Sequence, residues 1–381
     1  MTAQMSERRI KILHVLGSMD PGGVETWLLN VLKHVDRDTF EFHICTFGPE
    51  PGAYAVEVEK LGTRMVQCPR SAGLRHFRRR FRRILREGEY DVVHSHVHLF
   101  SGAVLRWANA EDVPVRIAHS HTSQDDKTNT LARRCYGRLM KSWIDRYATH
   151  GLAASQLAAA QLFGEDWQRD RRIQVVHCGI DLGPFEEPVA REEVRAELGI
   201  PRDATVVGHV GRFVPAKNHR FFLEVAREIA KLRPDTHFLL VGDGPLRCEI
   251  EERAKAMSFN GNMHFVGSRT DIPRLMSGGM DVFVFPSLWE GLPMTLIEAQ
   301  AAGLRCVVSD KVTKEASISP EQSTRLSLSA KPSEWAASTL DVLNGGRRKG
   351  EWAAQTVCRT DFSIERSASL LLNLYVGAVE R

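Results

Sequence analysis

Twice along this 381-residue chain a short apolar run ends in glycine, gives way to a helically spaced segment, and is followed by another apolar run. That alternation dictates parallel strands, because each helix carries the chain back to the edge where the next strand begins. In the first half Ile10–Leu16 leads into a turn from Gly17 to Gly23, and Leu28, Leu29, Leu32 and Val35 then recur at helical spacing. Glu41–Thr46, Asp91–His94 and Val115–His119 are further strand candidates. The pattern restarts at Thr205–Val210, with a helix over 219–232, a strand over Thr236–Val241 and a helix near 245–257. Strands over Met263–Val266 and Asp281–Phe285 follow. The reading is α/β, with two Rossmann-like, doubly wound parallel-sheet domains. The break falls at Gly179–Pro184, giving domains over 1–183 and 184–361 and an apolar-striped terminal helix within 362–381.

The length suits two domains with separate cores. Hydrophobic residues make up 43% and charged residues 26%, as in soluble globular chains. Net charge is +4, placed unevenly: residues 1–183 carry +5 and the remainder −1. The seven cysteines are scattered, without a Cys-x-x-Cys pair, which argues against a disulfide framework and a zinc-thiolate site. With neither a signal peptide nor a long apolar run, the expected location is the cytoplasm.

Four constellations carry chemistry. The first is Phe285-Pro-Ser-Leu-Trp-Glu290-Gly291-Leu292-Pro293-Met294-Thr295-Leu-Ile-Glu298, a strand end, a Gly/Pro turn and a helix that Gly303 is placed to stop. Open backbone amides at such a helix start favour anions, so Glu290 and Glu298 are either sugar-hydroxyl acceptors flanking a diphosphate or ordinary surface glutamates. The second is Arg212 with Lys217, at another strand end, either neutralising a diphosphate or simply solvated. The third is Gly17-x-x-x-x-Gly22-Gly23-x-Glu25, which allows close backbone approach to a phosphate or makes a structural turn. It is neither a dinucleotide fingerprint nor a Walker loop. The fourth is His94, His96, His98, His119 and His121, crowded on two strand ends, which could suggest a metal site although none is expected. Asp36-Arg37-Asp38 reads as a surface turn. One outlier remains: Leu74–Arg86 carries seven arginines around an apolar stripe of Leu74, Phe77, Phe81, Ile84 and Leu85. Its pattern suits lying on an anionic bilayer, or a solvated helix with an ordinary core face; no RNA-binding motif accompanies it, so no nucleic-acid partner is expected.

The Glu-x7-Glu spacing of Glu290 and Glu298 after Phe-Pro-Ser resembles the signature of family-4 retaining glycosyltransferases with the GT-B fold. The resemblance extends to Gly208–Phe213 with Lys217-Asn218-His219, to Val241–Leu246 and to Phe265–Arg269, in the family's order. The chain is similar to capsular and exopolysaccharide enzymes of that family. The resemblance implies two domains facing across a cleft, with the terminal helix crossing back to the first. It implies a nucleotide-sugar donor, UDP-linked, on the second domain and a glycan or lipid-linked acceptor on the first. Glu298 would hold ribose hydroxyls, Val266 and Arg269 would frame the base, and Arg212 and Lys217 would neutralise the diphosphate. Gly17, Gly22 and Gly23 and the segment Gly291–Thr295 would contribute backbone, and Glu290 would hold the donor sugar. The histidine facing the anomeric centre would be His121, with His119 as alternative. Transfer would retain configuration and need no cofactor or metal, and peripheral contact with the inner leaflet through Leu74–Arg86 is expected.

Two rival functions share these motifs: a nucleotide-sugar epimerase of the same fold, and a non-catalytic sugar-nucleotide-binding partner. One departure is local. Val176-His177-Cys178 stands where relatives usually carry Pro-Asn before Gly-Ile-Asp.

Overall fold

The computed structural model describes residues 8–71, 73–123, 130–259, 261–346 and 350–380. The chain divides into two compact units, Met1–Gly179 with Ile364–Arg381, and Ile180–Ser363.

The first unit is built on seven strands: β1 (Ile10–Leu16), β2 (Phe40–Thr46), β3 (Arg64–Gln67), β4 (Val92–Ser95), β5 (Val115–Ser120), β6 (His150–Ala153) and β7 (Ile173–Val175). Every pairing is parallel and the order is β3-β2-β1-β4-β5-β6-β7. The helices are α1 (Gly23–Lys33), α2 (Ala55–Lys60), α3 (Leu74–Gly88), α4 (Ser101–Asn109), α5 (Leu131–Tyr147) and α6 (Gln156–Phe163). The order reverses between β1 and β4, so the crevice of this sheet lies beyond their carboxyl ends. The C-terminal helix, Ile364–Val379, belongs to this unit. Its Ser367 accepts a hydrogen bond from Trp27 Nε1 (2.9 Å) and donates to the His177 carbonyl (2.7 Å).

Helix α3 turns most of the apolar stripe of the arginine-rich stretch inward. Phe77, Phe81 and Leu85 are fully buried and pack with Phe47, Phe100 and Trp107 in the unit's own core. Burying each such side chain contributes roughly 1.5–3 kcal/mol, which no lipid surface need supply. Only Leu74, 60% exposed, remains outward from the stripe. Arg75, Arg78, Arg79, Arg83 and Arg86 form the solvent face, while Arg82 and Arg86 bind Glu111.

The second unit contains α7 (Gly183–Glu186), α8 (Arg191–Glu197), β8 (Val206–Val210), α9 (His219–Leu232), β9 (His237–Val241), α10 (Arg247–Ala256), β10 (Met263–Phe265), α11 (Ile272–Arg274) and β11 (Val282–Phe285). It continues with α12 (Met294–Ala301), β12 (Arg305–Ser309), β13 (Ser323–Leu326), α13 (Pro332–Asn344) and α14 (Gly350–Cys358). The strand order is β10-β9-β8-β11-β12-β13, again parallel, with the reversal between β8 and β11. Phe222, Phe238 and Trp335 anchor its core. The segment after Asp310, which has no landmark in sequence, supplies β13, α13 and α14.

Candidate active site

The β8/β11 reversal brings together two of the charged residues of the second unit, Lys217 and Glu290. Beyond β8 the chain turns through Gly211 and Arg212 into a single turn of 3-10 helix, Pro215–Lys217, which Asn218 ends in the left-handed region (φ 55°). Beyond β11 comes the loop to α12, whose Leu288 N–H donates to the Ala216 carbonyl (2.8 Å). The two loops meet where Lys217 Nζ contacts Glu290 Oε1 at 2.7 Å, with both side chains largely enclosed, at 16% and 11% exposure. The ammonium also lies 4.9 Å from the Phe285 ring centre. Arg212 is exposed, and among the described residues nothing pairs with its guanidinium.

Two glycines bring the β9 loop against this turn. Gly242 (φ +139°) leaves no room for a Cβ against the Gly211 carbonyl, and a Cβ on Gly244 (φ +155°) would sit 2.7 Å from the Phe213 carbonyl oxygen. Hydrogen bonds from Gly211 N–H to Val241 (2.9 Å) and from Gly242 N–H to Gly267 (2.8 Å) stitch three strand ends together.

Helix α12 starts at Met294, with Pro293 as its cap residue rather than its first helical residue, and no side chain caps it. The first-turn amides of Met294 and Thr295 therefore have no intrahelical partner, and the Thr295 hydroxyl is buried without one. Gly303 (φ +75°) ends the helix as its position predicts. One turn in from the start, Glu298 has no cation or donor on its carboxyl among the described residues. It keeps part of its surface open, yet the surrounding protein removes enough water to push its carboxyl up to about 7.

Val266 follows β10, half-buried, with its N–H on the Leu240 carbonyl (3.2 Å). Arg269 is differently engaged. Its guanidinium binds Asp271 (2.7 Å) and Glu197 (2.8 Å), which Arg274 also holds, and these bonds keep it firmly protonated. That network commits Nε and Nη2 of the guanidinium, a commitment invisible in sequence because Glu197 lies on α8.

In the first unit, Gly17 ends β1 and its carbonyl accepts the N–H groups of Phe47 (3.1 Å) and Gly48 (2.9 Å). A Cβ on Gly17 would meet nothing within 4 Å. Gly22 caps α1 and Gly23 begins it; a Cβ on Gly22 would collide with the Glu25 carboxylate, folded back over the helix start.

The histidines converge further than their spacing indicates. His94 Nε2 lies 3.0 Å from His119 Nδ1, and His96 Nδ1 lies 2.9 Å from His121 Nε2. His14 joins them from β1, with Nδ1 2.9 Å from His96 Nε2. The Tyr375 hydroxyl of the C-terminal helix bridges His94 Nδ1 (2.6 Å) and His14 Nε2 (3.2 Å). Sequence reading missed His14, whose only signal is its place within a buried strand, and Tyr375. His98 stands apart on Gln161 (2.8 Å). Burial keeps all five imidazoles neutral, lowering His14 and His121 to about 3 and the others well below their ordinary value. His119 is fully enclosed and its Nε2 has no partner, whereas His121 keeps an open edge. Cys178, the departure noted above, faces His121 Nδ1 at 3.8 Å. Asp36 accepts from Asp38 N–H and Thr39 in a local turn, as its surface reading implies.

Residues 21–183 match Glycosyltransferase Family 4, and residues 190–355 match Glycosyl transferases group 1. EpsF of Bacillus subtilis (strain 168), which carries the name of a glycosyltransferase, is 34% identical over 382 residues, spanning 99% of each chain. The chain belongs to the family-4 glycosyltransferases. Another member, the UDP-Gal:alpha-D-GlcNAc-diphosphoundecaprenol alpha-1,3-galactosyltransferase of Escherichia coli, is 30% identical over 243 residues, 60% of each chain. Anabaena HepE, solved in complex with UDP-glucose, superposes with a TM-score of 0.81 over 97% of this chain and all of that one. At 18% identity that likeness concerns the fold, which is the family's GT-B architecture. Among the described residues no helix is long and apolar enough to cross a membrane.

Proposed function

We propose that this family-4 enzyme transfers a sugar, with retention of configuration, from a UDP-linked donor to a glycan or lipid-linked acceptor in surface-polysaccharide synthesis. The donor binds the second unit. Glu298 accepts the ribose hydroxyls beside Val266, Arg212 and Lys217 neutralise the diphosphate with the amides of Gly291–Thr295, and Glu290 orients the donor sugar. The acceptor binds the first unit near Gly17, Gly22, Gly23 and His121. In the reaction the anomeric C–O bond to phosphate breaks, a bond to the acceptor oxygen forms on the same face, and the acceptor proton passes to the leaving phosphate. Two cations and a helix start neutralise the leaving group, so the diphosphate needs no divalent ion.

The observation that carries this reading is one assembly at the β8/β11 reversal. It combines a Lys217–Glu290 pair, an unpartnered Arg212, uncapped amides of α12 and a carboxyl on Glu298 that lacks a donor. Two similar proteins support the donor class: one is named for UDP-Gal and a diphosphoundecaprenol-linked sugar, and the other was solved with UDP-glucose. The outward arginines of α3 are the surface through which the enzyme would rest on an anionic leaflet.

The test is calorimetry of a nucleotide-sugar panel against wild type and Glu298→Ala. Micromolar binding of one UDP-sugar, lost in the variant, is expected. Failure of every nucleotide and nucleotide sugar to bind would overturn the reading.

A further inference from the structure

The transfer reaction uses one histidine, yet the first unit holds five in mutual contact. His96, His119 and His121 each bring a ring nitrogen to within 4.8 Å of the others. The remaining nitrogen of each is already engaged: His96 Nε2 with His14 (2.9 Å), His119 Nδ1 with His94 (3.0 Å) and His121 Nδ1 with Cys178 Sγ (3.8 Å). That leaves His96 Nδ1 and His121 Nε2, which face each other at 2.9 Å, and His119 Nε2, which is buried with no partner at all.

We propose that His96, His119 and His121 form a binding site for a late-transition divalent ion, of which Zn2+ is the representative. Three observations carry the assignment. First, imidazole nitrogens suit Zn, Cu and Ni, while the hard cations Mg2+ and Ca2+ require oxygen ligands that this group lacks. Second, ligands about 2.0–2.1 Å from a tetrahedral ion stand roughly 3.4 Å apart, so the His96–His121 contact opens by about half an ångström and His119 closes inward. Third, each of the three rings has a partner on its far nitrogen, the outer arrangement that orients metal-bound histidine. Tyr375 ties two of those partners together, through His94 and His14. The partly open edges of His96 and His121 give an ion access, and the enclosed His119 completes the set.

The site rests on ligand geometry and not on the proposed reaction. If that reaction holds as well, an ion bound here withdraws His121 from the donor sugar, and Zn2+ inhibits transfer.

The experiment uses untagged, chelator-stripped full-length protein titrated with Zn2+ against a chromophoric competitor, with X-ray absorption at the zinc edge. A single equivalent is expected, with imidazole nitrogens at about 2.0–2.1 Å. Affinity should fall at least 100-fold in His121→Ala and in His119→Gln, about 10- to 100-fold in His14→Gln, and not at all in His98→Ala. Melting curves identify variants that fold, and the partly exposed His121 keeps the test open should the buried His119→Gln fail. Absence of stoichiometric binding, or unchanged affinity in the folded triad variants, would overturn the site and leave the imidazoles as hydrogen-bonded core. This result is independent of nucleotide-sugar binding, so either proposal can fail alone.

Discussion

Lys217 and Glu290 reach each other across 73 residues of sequence, from the loops after β8 and β11, at 2.7 Å. A largely enclosed pair of this kind fixes both loops before a ligand arrives, and it leaves the ammonium with further donors for a phosphate. Lys217→Ala should therefore remove a charge-assisted contact of about 1.5–3 kcal/mol from the transition state. The expected loss in kcat/KM is roughly 10- to 150-fold, read by steady-state kinetics with the identified UDP-sugar. Unchanged kinetics would remove Lys217 from the site.

Glu298 makes donor binding depend on pH. Its carboxyl, raised to about 7 by burial, must ionise to accept ribose hydroxyls fully, so affinity should drop about tenfold per unit as pH falls below 7. Stability runs the other way. A folded-state pKa above the unfolded value favours folding at low pH, and that contribution is lost as pH rises from about 4.5 through 7. Glu298→Gln should thus melt higher than wild type at pH 8, by at most about 3 kcal/mol, and match it at pH 4. Thermal melts at the two pH values, paired with calorimetry, check both halves.

Arg212 is exposed and unpaired, so its removal has little to disturb in the free protein. Arg212→Ala should leave the melting temperature within about 0.5 kcal/mol of wild type. It should weaken UDP by about 10- to 100-fold and leave uridine unaffected. Equal losses for UDP and uridine would assign Arg212 to something other than the diphosphate.

Helix α3 separates stability from surface charge. Phe81→Ala should cost about 3–5 kcal/mol in chemical denaturation, because it empties a core position. Joint replacement of Arg75, Arg78 and Arg79 by serine should spare stability and reduce adsorption to vesicles containing anionic lipid. At about 1 kcal/mol per arginine the reduction is about 150-fold. Vesicle binding that survives the triple change would locate any membrane contact elsewhere.

Much of this architecture is legible in the sequence because a buried parallel strand leaves a nearly unbroken apolar run. Ile10–Leu16 and the helix His219–Leu232 fall where their patterns indicate. Strands β3, β6, β7, β12 and β13 are missed: each is only three to five residues long, and their polar residues blur the run. The apolar stripe of α3 is equally visible, but periodicity cannot say whether a stripe faces lipid or core. Charged candidates divide the same way. Spacing from glycine turns finds Lys217 and Glu290, whereas the engagement of Arg269 by Glu197 depends on helix placement 72 residues away. His14 escapes because nothing in an apolar strand distinguishes a clustered imidazole from an isolated one.

Tyr375 bonds His94 across 281 residues and His14 across 361. A ribosome delivers the chain from its amino end, so the early strands leave the exit tunnel long before the phenol that closes over their imidazoles. During that interval His14 and His94 lack the hydroxyl that joins them in the finished protein. Completion of this early-made cluster therefore waits until Tyr375 has been added. A message cut short before that point would yield an amino-terminal half that still lacks its keystone.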